Sequence, residues 1–152
     1  MDVIRIKPHH FLDIITRLGA GQIFAPHPYG HALHLVADRI LHDPQITLEL
    51  VLGCDDICAP CIYQAEGKCQ DTTTTTGRIL PKEEYNRALD VRWLARLGLQ
   101  EGRRLTASEF CCLARERMGD IYGIYPDVPR EGTAMRRERL LRGIAIYLKE
   151  TA

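Results

Sequence analysis

Four cysteines crowd into one short segment of the chain, and no other feature restricts the possible folds as strongly. The segment runs from Gly53 to Cys69 and reads G-C-D-D-I-C-A-P-C-I-Y-Q-A-E-G-K-C. Its aspartates, proline and glycines form turns readily, so the segment predicts a loop. Thiolates that converge from one short loop are typical of a metal centre. The predicted metal ligands are Cys54, Cys58, Cys61 and Cys69.

The spacing of these cysteines favours an iron–sulfur cluster over zinc. Structural zinc sites usually join two well-separated cysteine pairs, whereas Cys54, Cys58 and Cys61 crowd one turn, as in many iron–sulfur loops. We predict an iron–sulfur cluster, 4Fe–4S rather than 2Fe–2S, and keep zinc as the alternative because thiolates suit both metals. The same spacing occurs in radical S-adenosylmethionine enzymes, but their barrel needs more chain than this protein offers.

Composition and charge narrow the class of protein further. The 152 residues include 20 Lys plus Arg and 20 Asp plus Glu, so net charge points neither to nucleic acid nor to an acidic membrane surface. The N-terminus has no apolar stretch long enough for a signal peptide or membrane span, which predicts a cytoplasmic protein. In that reducing compartment, cysteines are expected as metal-binding or catalytic thiols rather than disulfides. We predict one domain, residues 1–152, and find no signal for its oligomeric state.

Hydrophobic periodicity predicts two strands and about five helices. Alternating apolar residues in Val3–Lys7 and Ile46–Leu52 are typical of strands, and the second strand leads directly into Cys54. Apolar residues at helical spacing predict helices near residues 9–18, 31–42, 81–97, 107–118 and 133–148. The predicted fold class is α+β, with a small sheet of about two strands packed by about five helices and a Cys-rich metal-binding loop after the second strand.

Local patterns also predict helix faces and caps. Thr106 and Glu109 match a capping box at the start of the fourth helix, and Thr133 is the predicted cap of the last one. The predicted buried stripe of the third helix consists of Tyr85, Ala88, Val91 and Leu94, flanked by Leu89, Trp93 and Leu97.

Two adjacent histidines follow the first strand. On a helix, neighbouring side chains diverge by about 100 degrees, so His9 and His10 cannot readily chelate one ion together. If the two predicted strands are neighbours, however, one of these histidines approaches the cysteine loop. The histidines directly follow the first strand, and the cysteine loop directly follows the second. With Asp13, they are the candidate catalytic residues, and the sequence leaves open whether the protein is an enzyme.

Two further groups of polar residues have weaker functional interpretations. His27, His31 and His34 would share one face, and could form a second metal site, if the second helix began early, but Pro28 opposes an early start. A basic patch near the last helix is a solvated face or a docking site for an acidic partner or phosphate. It consists of Arg130, Arg136, Arg137, Arg139 and Arg142.

Several stretches together resemble a known family. They are R-I-K-P-H-H-F-L near the start, D-D-I-C-A-P-C, the later Cys69, and L-A-R-L-G-L-Q-E-G from Leu94 to Gly102. They resemble the small prokaryotic family of unknown function number 1284, whose members have been suspected of binding iron–sulfur clusters without an established reaction. In that family a cysteine often follows the H-H-x-L stretch, where this chain has Asp13. The resemblance therefore implies Cys58, Cys61 and Cys69 as ligands more strongly than it implies Cys54.

The predicted function is that of an iron–sulfur protein. It would either pass electrons to a redox partner protein or use the cluster on a small substrate. Four thiolates would give every iron of the cluster a protein ligand, which favours electron transfer. Three thiolates would leave one iron with an open position, where it can act as a Lewis acid. The alternative function is a binding module that zinc stabilises and that engages a partner through the basic patch.

Overall fold

Five helices and seven short strands follow one another in the computed structural model, which describes residues 2–150. The predicted domain, residues 1–152, extends beyond this range at both ends. The helices are α1 (Pro8–Gly19), α2 (Leu33–His42), α3 (Lys82–Leu97), α4 (Ala107–Arg117) and α5 (Arg130–Tyr147). The strands are β1 (Val3–Ile6), β2 (Thr47–Leu50), β3 (Gln64–Ala65), β4 (Lys68–Cys69), β5 (Thr72–Thr73), β6 (Leu80–Pro81) and β7 (Arg104–Thr106).

A three-stranded sheet in the order β1-β2-β7 forms the centre of the fold. Strands β1 and β2 are parallel, with Ile4 opposite Leu48, and β7 is antiparallel to β2. The predicted α+β class and the five helices are confirmed. Strand β7 is an addition to the two predicted strands, because three residues are too few to show an alternating pattern.

Helices α1 and α5 pack with their backbones in direct contact. A Cβ atom added at Gly143 would lie 1.9 Å from the carbonyl oxygen of Ile15, and one added at Gly19 would lie 1.9 Å from that of Arg139. The approach is possible because glycine has no side chain at either crossing point. It brings helices from the N-terminal and C-terminal parts of the chain into close contact.

The buried face of α3 differs from the predicted one. Ala88 and Val91 are exposed, so those two predictions were wrong, while Leu94 is buried as predicted. The buried residues recur mainly every four positions rather than every three. This face meets α1, and its Trp93 donates a hydrogen bond to the Tyr125 hydroxyl. They are Leu89, Asp90, Trp93, Leu94 and Leu97.

One predicted helix cap is confirmed and the other is wrong. The Thr106 hydroxyl accepts a hydrogen bond of 3.0 Å from the Glu109 amide at the start of α4. Helix α5 instead begins after Pro129, and Thr133 lies inside its first turn, where its amide donates to the Pro129 carbonyl. Proline favours this earlier start because its fixed backbone angle suits the entry to a helix.

Two small hairpins precede α3, and the first of them forms the end of the cysteine loop. Strand β3 pairs with β4, and β5 pairs with β6, each by two residues. Within residues 2–150, no helix combines the length and the apolar character that crossing a lipid bilayer requires.

Candidate metal centre

The parallel pairing of β1 and β2 places the start of α1 beside the cysteine loop. Both strands end at the same edge of the sheet, so the two segments that follow emerge side by side. Backbone hydrogen bonds extend this pairing beyond the strands: the Val51 amide donates to Ile6 at 3.1 Å, and the Asp56 amide donates to Arg5 at 2.9 Å. The loop that carries the cysteines is therefore fixed relative to α1.

A buried carboxylate, Asp55, joins these two segments. It accepts hydrogen bonds from the backbone amides of Lys7 at 2.8 Å, Ile57 at 3.1 Å and Cys58 at 2.9 Å, and contacts Nδ1 of His10 at 2.7 Å. Burial would raise the pKa of Asp55, but the neighbouring His10 and the backbone donors hold it well below its usual range. Asp55 therefore remains an acceptor that shapes the loop around Cys58.

Lys7, the residue after β1, is buried against Cys58, although the alternation in Val3–Lys7 puts it on the face opposite Ile4 and Ile6. Only 1% of Lys7 is exposed, and its ammonium donates to Sγ of Cys58 at 3.7 Å. Burial opposes the charge, but the surrounding carboxylates, Asp55 first among them, raise the pKa of Lys7. Burial and the Asp55 charge raise the pKa of the Cys58 thiol to about 12. Cys58 is thus a thiol rather than a free nucleophile, and a metal ion would have to displace its proton.

Each histidine of the adjacent pair is held by its own buried aspartate. His9 Nδ1 contacts both carboxylate oxygens of Asp90 at 2.9 Å, and His10 Nδ1 contacts Asp55. Burial disfavours a charged His9, but Asp90 outweighs it and raises the pKa of His9. The sequence analysis missed Asp90 and Lys7 as parts of the site. Asp90 could have been found as a carboxylate that lies between two buried positions of a helix, Leu89 and Trp93.

A cavity of about 400 Å³ opens between α1, the cysteine loop, α3 and the start of α5. Three of the four predicted ligands line it, and so do all three candidate catalytic residues. These residues are Cys58, Cys61, Cys69, His9, His10 and Asp13. Cys54 is not among the lining residues, and its thiol donates to the backbone oxygen of Asp55 at 3.7 Å. The structure thus groups three of the four cysteines, all free thiols, with the start of α1.

Backbone contacts fix the other two cavity cysteines. The amide of Cys61 donates to the Cys58 carbonyl at 2.9 Å, which makes the turn between them tight. The amide of Cys69, in strand β4, donates to the carboxylate of Glu83 in the first turn of α3 at 2.8 Å. Among residues 2–150, one group of three metal-binding side chains has donor atoms within 4.8 Å of one another: His10, Asp55 and Cys58.

The predicted basic patch does not stay together as one free surface. Arg136 pairs with Asp13 at 2.9 Å and lies over the ring of Tyr125, at the cavity. Arg137 donates to the backbone oxygen of Gly119 at 2.6 Å. These contacts tie both arginines to other segments of the chain, and Arg136 becomes part of the cavity wall.

The histidines considered for a second metal site do not share a helix face. Helix α2 begins at Leu33, so His27 and His31 precede it, and their rings stack with centroids 4.6 Å apart. The Nδ1 atoms of both rings accept hydrogen bonds from nearby backbone amides, those of Tyr29 and Leu33. The condition for a common face, an early start of the helix, is therefore not met, as Pro28 indicated.

Comparison with known proteins identifies the family of this chain but no reaction for it. No curated protein and no solved structure matches the chain. A family model described as "Protein of unknown function (DUF1284)" matches residues 27–122, which include the whole cysteine loop. This match covers more than half of the chain and confirms the resemblance found in the sequence, so the protein belongs to this family of proteins of unknown function.

Proposed function

We propose that the protein binds an iron–sulfur cluster, 4Fe–4S, through Cys58, Cys61 and Cys69, and has a redox role. The observation that carries this proposal is that these three thiols line one cavity, whereas Cys54 lies outside it. The proposed ligand set therefore drops Cys54 from the four cysteines that the sequence suggested. A cytoplasmic location is part of the proposal, because free thiols persist in a reducing compartment.

The residues present suit such a cluster. Three thiolates from a short loop are typical iron–sulfur ligands, and the cavity has the size of sites that hold small cofactors. The Lys7 ammonium already donates to the Cys58 sulfur, and hydrogen bonds to ligand sulfurs tune the reduction potential of a bound cluster. Asp55 holds the Cys58 backbone in place without needing to contact the cluster.

Zinc is the second candidate, and one observation favours it. A ring nitrogen of His10 lies within 4.8 Å of the Cys58 sulfur, a separation compatible with two ligands of a single ion. Three cysteines and one histidine also form a common structural zinc site. In that case the protein would be a binding module, although the internal contacts of Arg136 and Arg137 leave less of the basic patch for a partner.

Anaerobic purification followed by iron, zinc and acid-labile sulfide analysis separates these candidates. We expect a brown protein with iron and sulfide in comparable amounts. Cys58→Ser, Cys61→Ser and Cys69→Ser should each lose most of both, because each removes a thiolate from the cavity. Cys112→Ser is the matched control, since Cys112 is an exposed thiol on α4 and should leave the content unchanged. A colourless protein with stoichiometric zinc and no sulfide would reject the iron–sulfur proposal.

A further inference from the structure

The cavity extends beyond the cysteines along helix α1. His10, whose ring contacts Asp55 of the cysteine loop, lies at one end of this wall, and Arg17 lies at the other. Arg17 follows His10 by seven residues, which corresponds to about 10 Å along a helix axis. None of the proposed metal ligands belongs to this far part of α1. The end of the cavity near Arg17 therefore calls for an explanation of its own.

The face of α1 that lines the cavity is polar. His9, Asp13 and Arg17 recur every four residues, so they lie along one side of the helix, and all three line the cavity. The opposite side of α1 is buried and apolar, with Phe11, Leu12, Ile14 and Ile15 in the core. A cavity wall of polar and charged side chains suits a polar ligand rather than an apolar one.

Four lysine and arginine side chains line the cavity, and three of them already have a partner in the fold. The pairs are Lys7 with the Cys58 sulfur, Lys82 with Asp71, and Arg136 with Asp13. Arg17 takes part in none of the ion pairs that the described chain, residues 2–150, contains. Its guanidinium lies 5.9 Å from the centre of the Phe24 ring. The Arg17 end of the cavity thus carries a positive charge that no carboxylate of the described chain compensates.

Arg136 has donors left for the same ligand in spite of its pairing. Its Nη1 donates to Oδ1 of Asp13 at 2.9 Å, which uses one of the five N–H donors of a guanidinium. The group lies 4.5 Å from the centre of the Tyr125 ring, a contact that holds it against the cavity wall. Asp13 is one helical turn from Arg17, so both arginines belong to the same end of the cavity.

We propose that this end of the cavity binds a small organic anion, with Arg17 and Arg136 holding its carboxylate or phosphate group. A guanidinium presents its N–H donors in a fork that matches both of these oxyanions. Tyr125 and Val128 line the same cavity and supply aromatic and apolar surface for the remainder of the ligand. Because none of these residues is a proposed metal ligand, the inference goes beyond the proposed function and does not depend on which metal binds.

Isothermal titration calorimetry on the anaerobically purified protein tests this site. The probes are succinate, citrate, glycerol 3-phosphate and inorganic phosphate, and uncharged succinamide is the control ligand. We expect at least one organic anion to bind with one-to-one stoichiometry and succinamide not to bind. Absence of binding by all the anions would overturn the proposal. Binding of inorganic phosphate alone would also overturn it, because the occupant would then be free phosphate rather than an organic anion.

Substitutions at the two arginines locate the bound anion. Arg17→Gln and Arg136→Gln should each weaken its binding by about tenfold or more, because each removes a hydrogen bond between charged groups. Asp13→Asn should strengthen binding, since it removes a negative charge and releases Nη1 of Arg136. The matched control is Arg139→Gln, which makes the same change in charge at an exposed position of α5 outside the cavity.

The pattern of affinities and metal contents separates this site from the metal centre. Equal affinity of the anion for the wild type, Arg17→Gln and Arg139→Gln would overturn the assignment of Arg17. Weaker binding in Asp13→Asn would show that Asp13 supports the ligand rather than competing with it, against the proposed arrangement. All four variants should keep the metal content of the wild type. A wild-type protein without iron and sulfide that still binds the anion would reject the proposed function and leave this inference standing.

Discussion

Replacing Gly143 by alanine should weaken the packing of α5 against α1. The new Cβ atom would lie 1.9 Å from the carbonyl oxygen of Ile15, whereas real Cβ contacts essentially never fall below 3.0 Å, so the backbones must separate by about 1.1 Å. Overpacking in a protein interior costs about 1–3 kcal/mol. We expect a cost near the upper end of this range, because the atom in the way belongs to the backbone and cannot rotate aside as a side chain can. Alanine favours the helical conformation over glycine by about 1 kcal/mol, which offsets part of this cost. We expect a net loss of about 2 kcal/mol in the free energy of unfolding.

Thermal and urea unfolding followed by circular dichroism measure this loss. For a chain of this length, about 2 kcal/mol corresponds to a fall of about 4–8 °C in Tm. The matched control is Gly132→Ala in the same helix, where the nearest atom, Cγ1 of Val128, is at an ordinary 3.6 Å. That variant should be neutral or stabilised by up to about 1 kcal/mol. Equal stability of the two variants would refute the argument that the helix crossing depends on a missing side chain.

Two other substitutions probe charge and core packing. The hydrogen bond from Arg104, aided by Arg5, lowers the pKa of Glu49 in the folded protein. The stability that Glu49 contributes is therefore present above its unfolded-state pKa of about 4.3. It is lost as the pH falls through the lower folded-state pKa. Glu49→Gln should therefore lose less stability on acidification in urea titrations, and parallel pH profiles would contradict this. Cys111→Ala should cost about 1 kcal/mol as a buried side chain and leave metal content unchanged; loss of metal would place Cys111 at the site.

The elements that the sequence predicted are those with a local pattern. The alternation that leads into Cys54 and the Thr106 cap each depend on neighbouring residues, and each is found in the structure. The cysteine loop was located by its own spacing. The face of α3 was misplaced because apolar residues occur on several sides of that helix, and only its packing partners decide which side is buried.

The network behind the site was not predictable in the same way. Lys7 meets Asp55 across 48 residues of sequence, and His9 meets Asp90 across 81. No periodic pattern relates such pairs, and the parallel pairing of β1 with β2 is what brings the first of them together. Cys54 differs from its neighbours: spacing groups it with them, but it is not among the residues that line the cavity. Whether all four cysteines bind metal stays a prediction for the metal analysis to decide.

The two small hairpins divide the site into parts of different local stability. Two-residue strand pairs without a wider sheet are marginally stable in water, and β3 to β6 lie on the exposed side of the fold. In hydrogen-exchange terms, the amide of Cys58, bonded to buried Asp55, should be protected far longer than most amides in residues 64–81. If a metal binds there as proposed, its exchange would proceed by brief opening of the hairpin segment that carries Cys69, while the backbone of Cys58 stays in place.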